Sequence, residues 1–162
     1  MLTPLSDDIF KKFPRLLESD YVTRSDPDPS YNCAAYTLDI KNRIRWPDKN
    51  GNWVTFDDDE PDIQVDMLIM AYEQEGFSQC RDVRQEPGVT RIAIYAKDNI
   101  ALHVALQRPD RPNGRWFSKL GLSHDIEHDL QDLEDGAYSF VHDVFLCKAR
   151  TSSRRKSRRR GR

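Results

Sequence analysis

Long apolar runs are missing from this chain. No stretch of about 18 consecutive apolar residues occurs in its 162 residues, so no membrane-spanning helix is expected. The first residues, MLTPLSDDIFKK, lack a basic start followed by an apolar stretch, so no secretory signal is expected either. Cysteine is scarce. Cys33, Cys80 and Cys147 are too few and too scattered for a disulfide framework, and an odd number leaves at least one thiol free. Cys80 and Cys147 read as structural residues. No C-x-x-C occurs, so no structural zinc is expected, and a reducing compartment, the cytoplasm, is the simplest home. Neither G-x-x-x-x-G-K-[ST] nor G-x-G-x-x-G is present, which leaves nucleotide binding without support and no cofactor to expect.

What is present is enough for one core. Seven Phe and three Trp offset an apolar content of only 38%. The length suits one domain, here residues 1–150. The charge is unevenly placed. Arg154 to Arg162 hold seven Arg or Lys and no acid, and removing them takes the net charge from -2 to -9. Charges so dense repel and bury no apolar area, so residues 151–162 read as a disordered basic tail on an acidic body. Such a tail suits nucleic acid or another anionic partner, although it has no aromatic residue for base stacking.

The chain reads helices first and strands later. Ser6 caps a helix with Asp7 and Asp8 in its first turn, broken at Pro14. Two Asp-Pro steps make residues 23–30 a loop, and a short helix follows from Asn32 to about Ile40. Residues 43–60 look irregular. A helix is expected after Asp57–Glu60, with Pro61 in its first position and Gly76 behind it. Phe77 to Val83 suits a strand. Val89–Ala96 and Ile100–Gln107 are strands joined at Lys97-Asp98-Asn99, and Arg115–Leu120 is a third. A helix capped by Ser123 would carry Ile126, Leu130 and Leu133, and Tyr138–Lys148 closes the domain as a strand. The fold class is α+β, with N-terminal helices packed on an antiparallel β-meander.

The chemistry centres on Cys33 and His103. Cys33 is delivered by a Pro- and Asp-rich loop to a helix start, where free N–H groups would stabilise a thiolate and hold an oxyanion. A nucleophilic thiol needs a base. In Ile100 to Gln107, alternation puts Ala101, His103, Ala105 and Gln107 on one face. A histidine between alanines leaves low walls, so the Cys33 helix would pack there, sulfur against imidazole. On the next strand Lys119 would face His103 and Ser118 sit one step away, within a one-residue uncertainty of register. Ser118 is the candidate to orient the ring. Gln107 is a second polar residue of the site, Lys119 a binder of a substrate carboxylate, and Trp46 with Trp53 a wall of a cleft or of the core.

Asn32-Cys33 at a helix start, with His103 on a later strand, resembles the papain-like cysteine hydrolase superfamily of peptidases, amidases, deamidases and acyltransferases. Tyr31-Asn32-Cys33-Ala34-Ala35-Tyr36, His103-Val104-Ala105-Leu106-Gln107 and Trp116-Phe117-Ser118-Lys119-Leu120-Gly121 also resemble an uncharacterised compact bacterial domain family. The resemblance touches residues 30–145. It implies a papain-like fold, Cys33 as nucleophile and His103 as base, a peptide or other amide or ester substrate, and Asn32 within the site. It also admits an effector or toxin with an immunity partner. The chain departs from papain in having no Gln ahead of Cys33 and no clear Asn after His103.

Other constellations are weaker. His124-x-x-Glu127-His128 has the spelling of some zinc peptidases, but on a short helix its histidines would lie at a solvated end without a buried shell. Asp57–Glu60 lacks the glycine and spacing of a calcium loop. His142 reads as a surface strand residue. Two functions therefore stand: a thiol hydrolase or acyltransferase, and a non-catalytic binding protein that docks through its tail.

Overall fold

The turn at Asp98 and Asn99 sets the centre of the sheet. Both residues have positive φ, 50° and 66°, the geometry that joins two strands tightly. A computed structural model describes residues 1–56, 60–81, 84–111 and 113–149. The turn links β5 (Val89–Lys97) to β6 (Ile100–Gln107), and the chain continues antiparallel into β7 (Trp116–Lys119) and β8 (Asp125–His128). On the other side of β5 lie β9 (Phe140–Ala149) and then β4 (Ser78–Cys80), while β1 (Val22–Thr23) edges β8. A separate hairpin pairs β2 (Ile44–Pro47) with β3 (Trp53–Phe56). Helices are few: α1 (Asp7–Lys12), α2 (Cys33–Thr37) and α3 (Val65–Gln74), with 3-10 turns at Pro14–Glu18 and Leu130–Leu133. The described chain is thus mostly antiparallel sheet. The basic tail and Asp57–Asp59 lie outside the described residues, as do the last two residues of the strand expected over 77–83.

Both faces of the sheet are covered. Ile92, Ile94, Val104 and Leu106 join one cluster with α2 and α3. Ala93, Tyr95 and Ala105 join another with α1 and the 3-10 turns. Period-two alternation sorts these residues, and burial on both sides explains why β5 and β6 carry so few polar residues.

Three sequence expectations change. Residues 43–60 contain the β2–β3 hairpin, because the Asp48 side chain accepts from the N–H groups of Asn50 (2.9 Å) and Asn52 (3.0 Å) and Gly51 takes φ 79°. α3 begins at Val65, four residues after Pro61. The preceding segment is drawn out against the start of β6, with Val65 N–H donating to Asn99 O and Ala101 N–H to Ile63 O, each at 2.9 Å. The helix expected behind Ser123 is instead β8 followed by a 3-10 turn capped by Asp129. The open edge of β7 offers a full ladder from Trp116–His128 to Lys119–Asp125, and pairing outweighs a local cap.

Cys80 and Cys147 form a disulfide across β4 and β9, with Cα atoms 6.1 Å apart. Both cysteines are thus structural as a bonded pair although their scatter in sequence argued against a disulfide framework, Cys33 is left as the free thiol among the described residues, and the scarcity of cysteine no longer argues for a reducing compartment. The bond closes a separation of 67 residues. Reducing it should cost about 3 kcal/mol of stability, read as a lower urea midpoint in dithiothreitol. An unchanged midpoint would show that the pairing does not constrain the unfolded chain.

Gly136 seats the segment before Tyr138 on the end of α1. Ala137 N–H donates to Lys12 O at 2.8 Å, and a Cβ on Gly136 would lie 2.1 Å from that same oxygen. Gly136→Ala must therefore displace backbone, and should cost on the order of 3 kcal/mol in chemical denaturation.

Candidate active site

Asn32 builds the start of α2. Its backbone is extended, and its side-chain oxygen accepts from the N–H groups of Ala35 and Arg45, both at 3.1 Å. Its amide donates to Arg45 O (2.8 Å) and to the Glu60 carboxylate (2.7 Å). One buried amide therefore ties α2 to β2 and to Glu60. Lys119 fixes the loop in front. Its ammonium donates to the carbonyls of Asp28 (2.7 Å), Gly121 (2.9 Å) and Tyr31 (3.2 Å) and sits 4.6 Å from the centre of the Tyr31 ring. An ammonium has three N–H groups, and all three are taken. Lys119, expected to bind a substrate carboxylate, is instead a fully buried clamp, its pKa lowered by burial to about 8.

Cys33 follows Asn32 and lines a cavity of about 220 Å³ with Trp46, Glu60, Asp62, Leu102 and Tyr138. Burial raises its thiol to about 12, outweighing the backbone N–H groups of Val104 and Ala34 that face the sulfur. This reverses the expected thiolate. Desolvation penalises the charged form, and a five-residue helix offers little to offset it. Trp46 is buried and donates to Pro61 O at 2.9 Å, so it is both core and cavity wall.

His103 is fully buried among the residues of the opposite face, facing Tyr95 across β5 and β6. α2 packs with Ala101, Val104 and Leu106, not against the His103–Ala105 face as alternation suggested. The reason is a bulge: Ala96 pairs with Ala101 and Tyr95 with His103, so Leu102 has no partner and Ala101 changes sides. The sulfur remains close in the chain's geometry, since Val104, whose N–H faces it, is the residue after His103. Tyr138 spans the two. It lines the Cys33 cavity and stacks on the His103 ring, centroids 4.0 Å apart and planes 3° from parallel.

A chain of hydrogen bonds holds the ring from behind. His103 Nε2 meets Ser118 Oγ at 2.9 Å, Ser118 Oγ meets His128 Nε2 at 2.7 Å, and His128 Nδ1 meets the Asp129 carbonyl at 2.7 Å. Ser118 thus contacts His103, in a register where Leu106 pairs with Phe117, one residue from the expected alignment. The tautomers follow. A carbonyl only accepts, so His128 Nδ1 carries its hydrogen and Nε2 accepts the Ser118 O–H. Ser118 oxygen then accepts from His103 Nε2–H, which leaves His103 Nδ1 as a bare lone pair. Among the described residues that nitrogen has no hydrogen-bond partner. Burial, then the neighbouring His128, push the His103 pKa well below its usual value, and burial lowers His128 to about 4.

Sequence reasoning missed His128 and Tyr138. With β8 read as a helix, His128 belonged at a solvated end beside His124. On a strand it is buried, Glu127 pairs with Arg24 (2.6 Å) and Arg115 (3.4 Å), and His124 meets Thr3 O at 2.8 Å. The alternation of Ile126 and His128 was the available signal. Gln107 is buried farther along β6 and does not line the Cys33 cavity. Among the described residues no group of three or more His, Cys, Asp or Glu is placed to hold a metal ion, and no helix is long and apolar enough to cross a membrane.

The match to known proteins covers the whole site. The chain belongs to the family described as Domain of unknown function (DUF7689), which matches residues 22–145. No curated protein and no solved structure matches it.

Proposed function

We propose that this member of the DUF7689 family is a thiol hydrolase or acyltransferase of papain-like type, acting on an amide or ester bond, with Cys33 as nucleophile and His103 as base. One observation carries the reading: among the described residues the buried His103 Nδ1 has no hydrogen-bond partner, on a ring held from behind through Ser118 and His128. Buried polar atoms are nearly always satisfied, and an unpartnered base is a form suited to accepting a proton.

Both groups are neutral at rest, so the proton moves during attack. The Cys33 sulfur bonds to the carbonyl carbon as His103 Nδ1 takes the thiol proton. The tetrahedral oxyanion collapses, the C–N or C–O bond breaks, and the leaving group takes that proton from His103. Water or another nucleophile then opens the thioester, giving acid or transferred acyl group and the free thiol. The N–H groups of Val104 and Ala34, which face the sulfur, suit the oxyanion. In the resting structure α2 packs on the face of β6 opposite His103, so the reading requires a rearrangement around Tyr138 that brings Sγ and Nδ1 within hydrogen-bond reach in the reacting complex. A 4-nitrophenyl ester should give a burst of nitrophenol stoichiometric with protein, absent from Cys33→Ala. No burst, or one that survives Cys33→Ala, sinks the proposal.

The charge asymmetry supports a second, separable role for the tail as a dock for nucleic acid. Deleting residues 154–162 should abolish retention of duplex DNA and its steep salt dependence. Retention by the truncated chain would remove this role.

A further inference from the structure

Tyr138 rides on a turn that is closed on itself. The turn, Asp135 to Ser139, precedes β9. Its two ends, Asp135 and Ser139, have positive φ, 63° and 59°, a region that side chains enter rarely. Two internal bonds complete it: Asp135 N–H donates to Ser139 O at 2.9 Å and Ser139 N–H to Gly136 O at 3.0 Å. Among the described residues one backbone bond ties the turn to another part of the chain, from Ala137 N–H to Lys12 O at 2.8 Å. Arg15 adds ion pairs to Glu134 (3.7 Å) and Asp135 (3.8 Å). Phe13 packs on the Tyr138 ring, centroids 4.6 Å apart, from the side of α1. Lys12, Phe13 and Arg15 all precede residue 22, where the family match begins.

Open space flanks the turn on two sides. Ala137 and Tyr138 line a groove of about 490 Å³. Asp135, Gly136, Ala137 and Ser139 line another, of about 470 Å³, together with Lys97, Leu102 and Phe140. Asp135, Gly136 and Ala137 are exposed, and Phe140 is 49% exposed. Leu102, left without a strand partner by the bulge, lines both this second groove and the Cys33 cavity. The ring of Tyr138 is the buried weight of an otherwise solvated turn, and its seat is the imidazole of His103.

We infer that the Asp135–Ser139 turn is a gate, and that Tyr138, pressed onto His103 by residues 12–15, keeps the resting protein autoinhibited. The seated ring stands between the Cys33 cavity and the imidazole, where Sγ and Nδ1 have to meet. The turn swings as a unit into the space beside it, and the sheet keeps its register. The inference rests on the thiol-hydrolase reading and names the element that moves in it. A protein whose competent form is a minor population reacts in proportion to that population, so loosening the closed form raises the rate. A residue that merely supported the histidine would act in the opposite direction.

The test is single-turnover acylation of the full chain by 4-nitrophenyl acetate, with the Cys33 adduct identified by mass spectrometry. Tyr138→Leu keeps an apolar contact for Phe13 but has no flat ring to stack on His103. It should acylate about tenfold faster than the parent, as expected if the closed form outweighs the open one by about that ratio. Adding His103→Gln should abolish the gain, because an open gate helps only by joining thiol and base. Arg15→Ala removes two ion pairs at a half-exposed side chain and should give about a twofold gain, in line with the small worth of such pairs. A denaturation midpoint establishes that each variant is folded, and if Tyr138→Leu is not, Arg15→Ala decides alone. Acylation by Tyr138→Leu at or below the parental rate overturns the gate and leaves the hydrolase reading standing. So does a gain that survives His103→Gln, since the thiol would then merely be more exposed. Absence of a Cys33 adduct from the parent and every variant removes both.

Discussion

His103→Gln lowers the rate at which Cys33 is acylated by about 10²–10⁴-fold, the range expected for loss of a positioned base. The substitution is chosen for its geometry. A glutamine amide still donates to Ser118 Oγ, so the link to His128 survives, but it has no basic nitrogen to replace Nδ1. Circular dichroism and a denaturation midpoint establish that the variant is folded before its rate is read. The pH profile gives an independent sign. Attack needs the unprotonated ring, and the folded pKa lies well below the usual imidazole value. The rate should therefore hold as pH falls through 6.5 and drop only below it. A tenfold fall between pH 7 and 6, or a His103→Gln chain that acylates at the parental rate, would falsify the role of the ring.

Acidification through the same pair of rings weakens the fold. His103 and His128 are buried and neutral, and both have folded pKa values below those of the unfolded chain. The unfolded state takes up protons below about pH 6.5, while native His128 takes none until about 4. Stability is therefore complete above 6.5 and declines as pH falls towards 4. At about 1.36 kcal/mol per unit, His128 alone accounts for about 3 kcal/mol, and His103 adds to it in the same direction. Glu127, its pKa lowered chiefly by its bond and ion pair with Arg24, loses its contribution at lower pH still. Urea midpoints at pH 7.5, 5.5 and 4.5 measure the decline, and His128→Gln should flatten it. A midpoint constant across that range would mean that neither ring is buried uncharged.

The local parts of this site are legible without coordinates. Asn32 caps a helix because an amide oxygen two or three residues ahead of free N–H groups is a strong local solution, and that alone places Cys33 at the start of α2. Asp98 and Asn99 accept positive φ, so β5 and β6 pair as a hairpin, and alternation puts His103 and Ser118 on facing positions of neighbouring strands to within one residue. A Pro-rich approach and a charged tail are equally plain in composition.

Tertiary structure decides the remainder, because it depends on partners distant in sequence and on the removal of water. Asp125 to His128 become a strand only because β7 presents an open edge, and that choice carries His128 from a solvated end into the chain behind His103. A single bulge at Leu102 moves Ala101 across the sheet and sends α2 to the face opposite His103. Cys80 meets Cys147 only when β4 lies beside β9, across a sequence separation of 67. The resting state of Cys33 is likewise beyond any local pattern: helix-start N–H groups favour the anion, burial disfavours it, and how much water is excluded depends on the assembled cavity around Trp46, Leu102 and Tyr138.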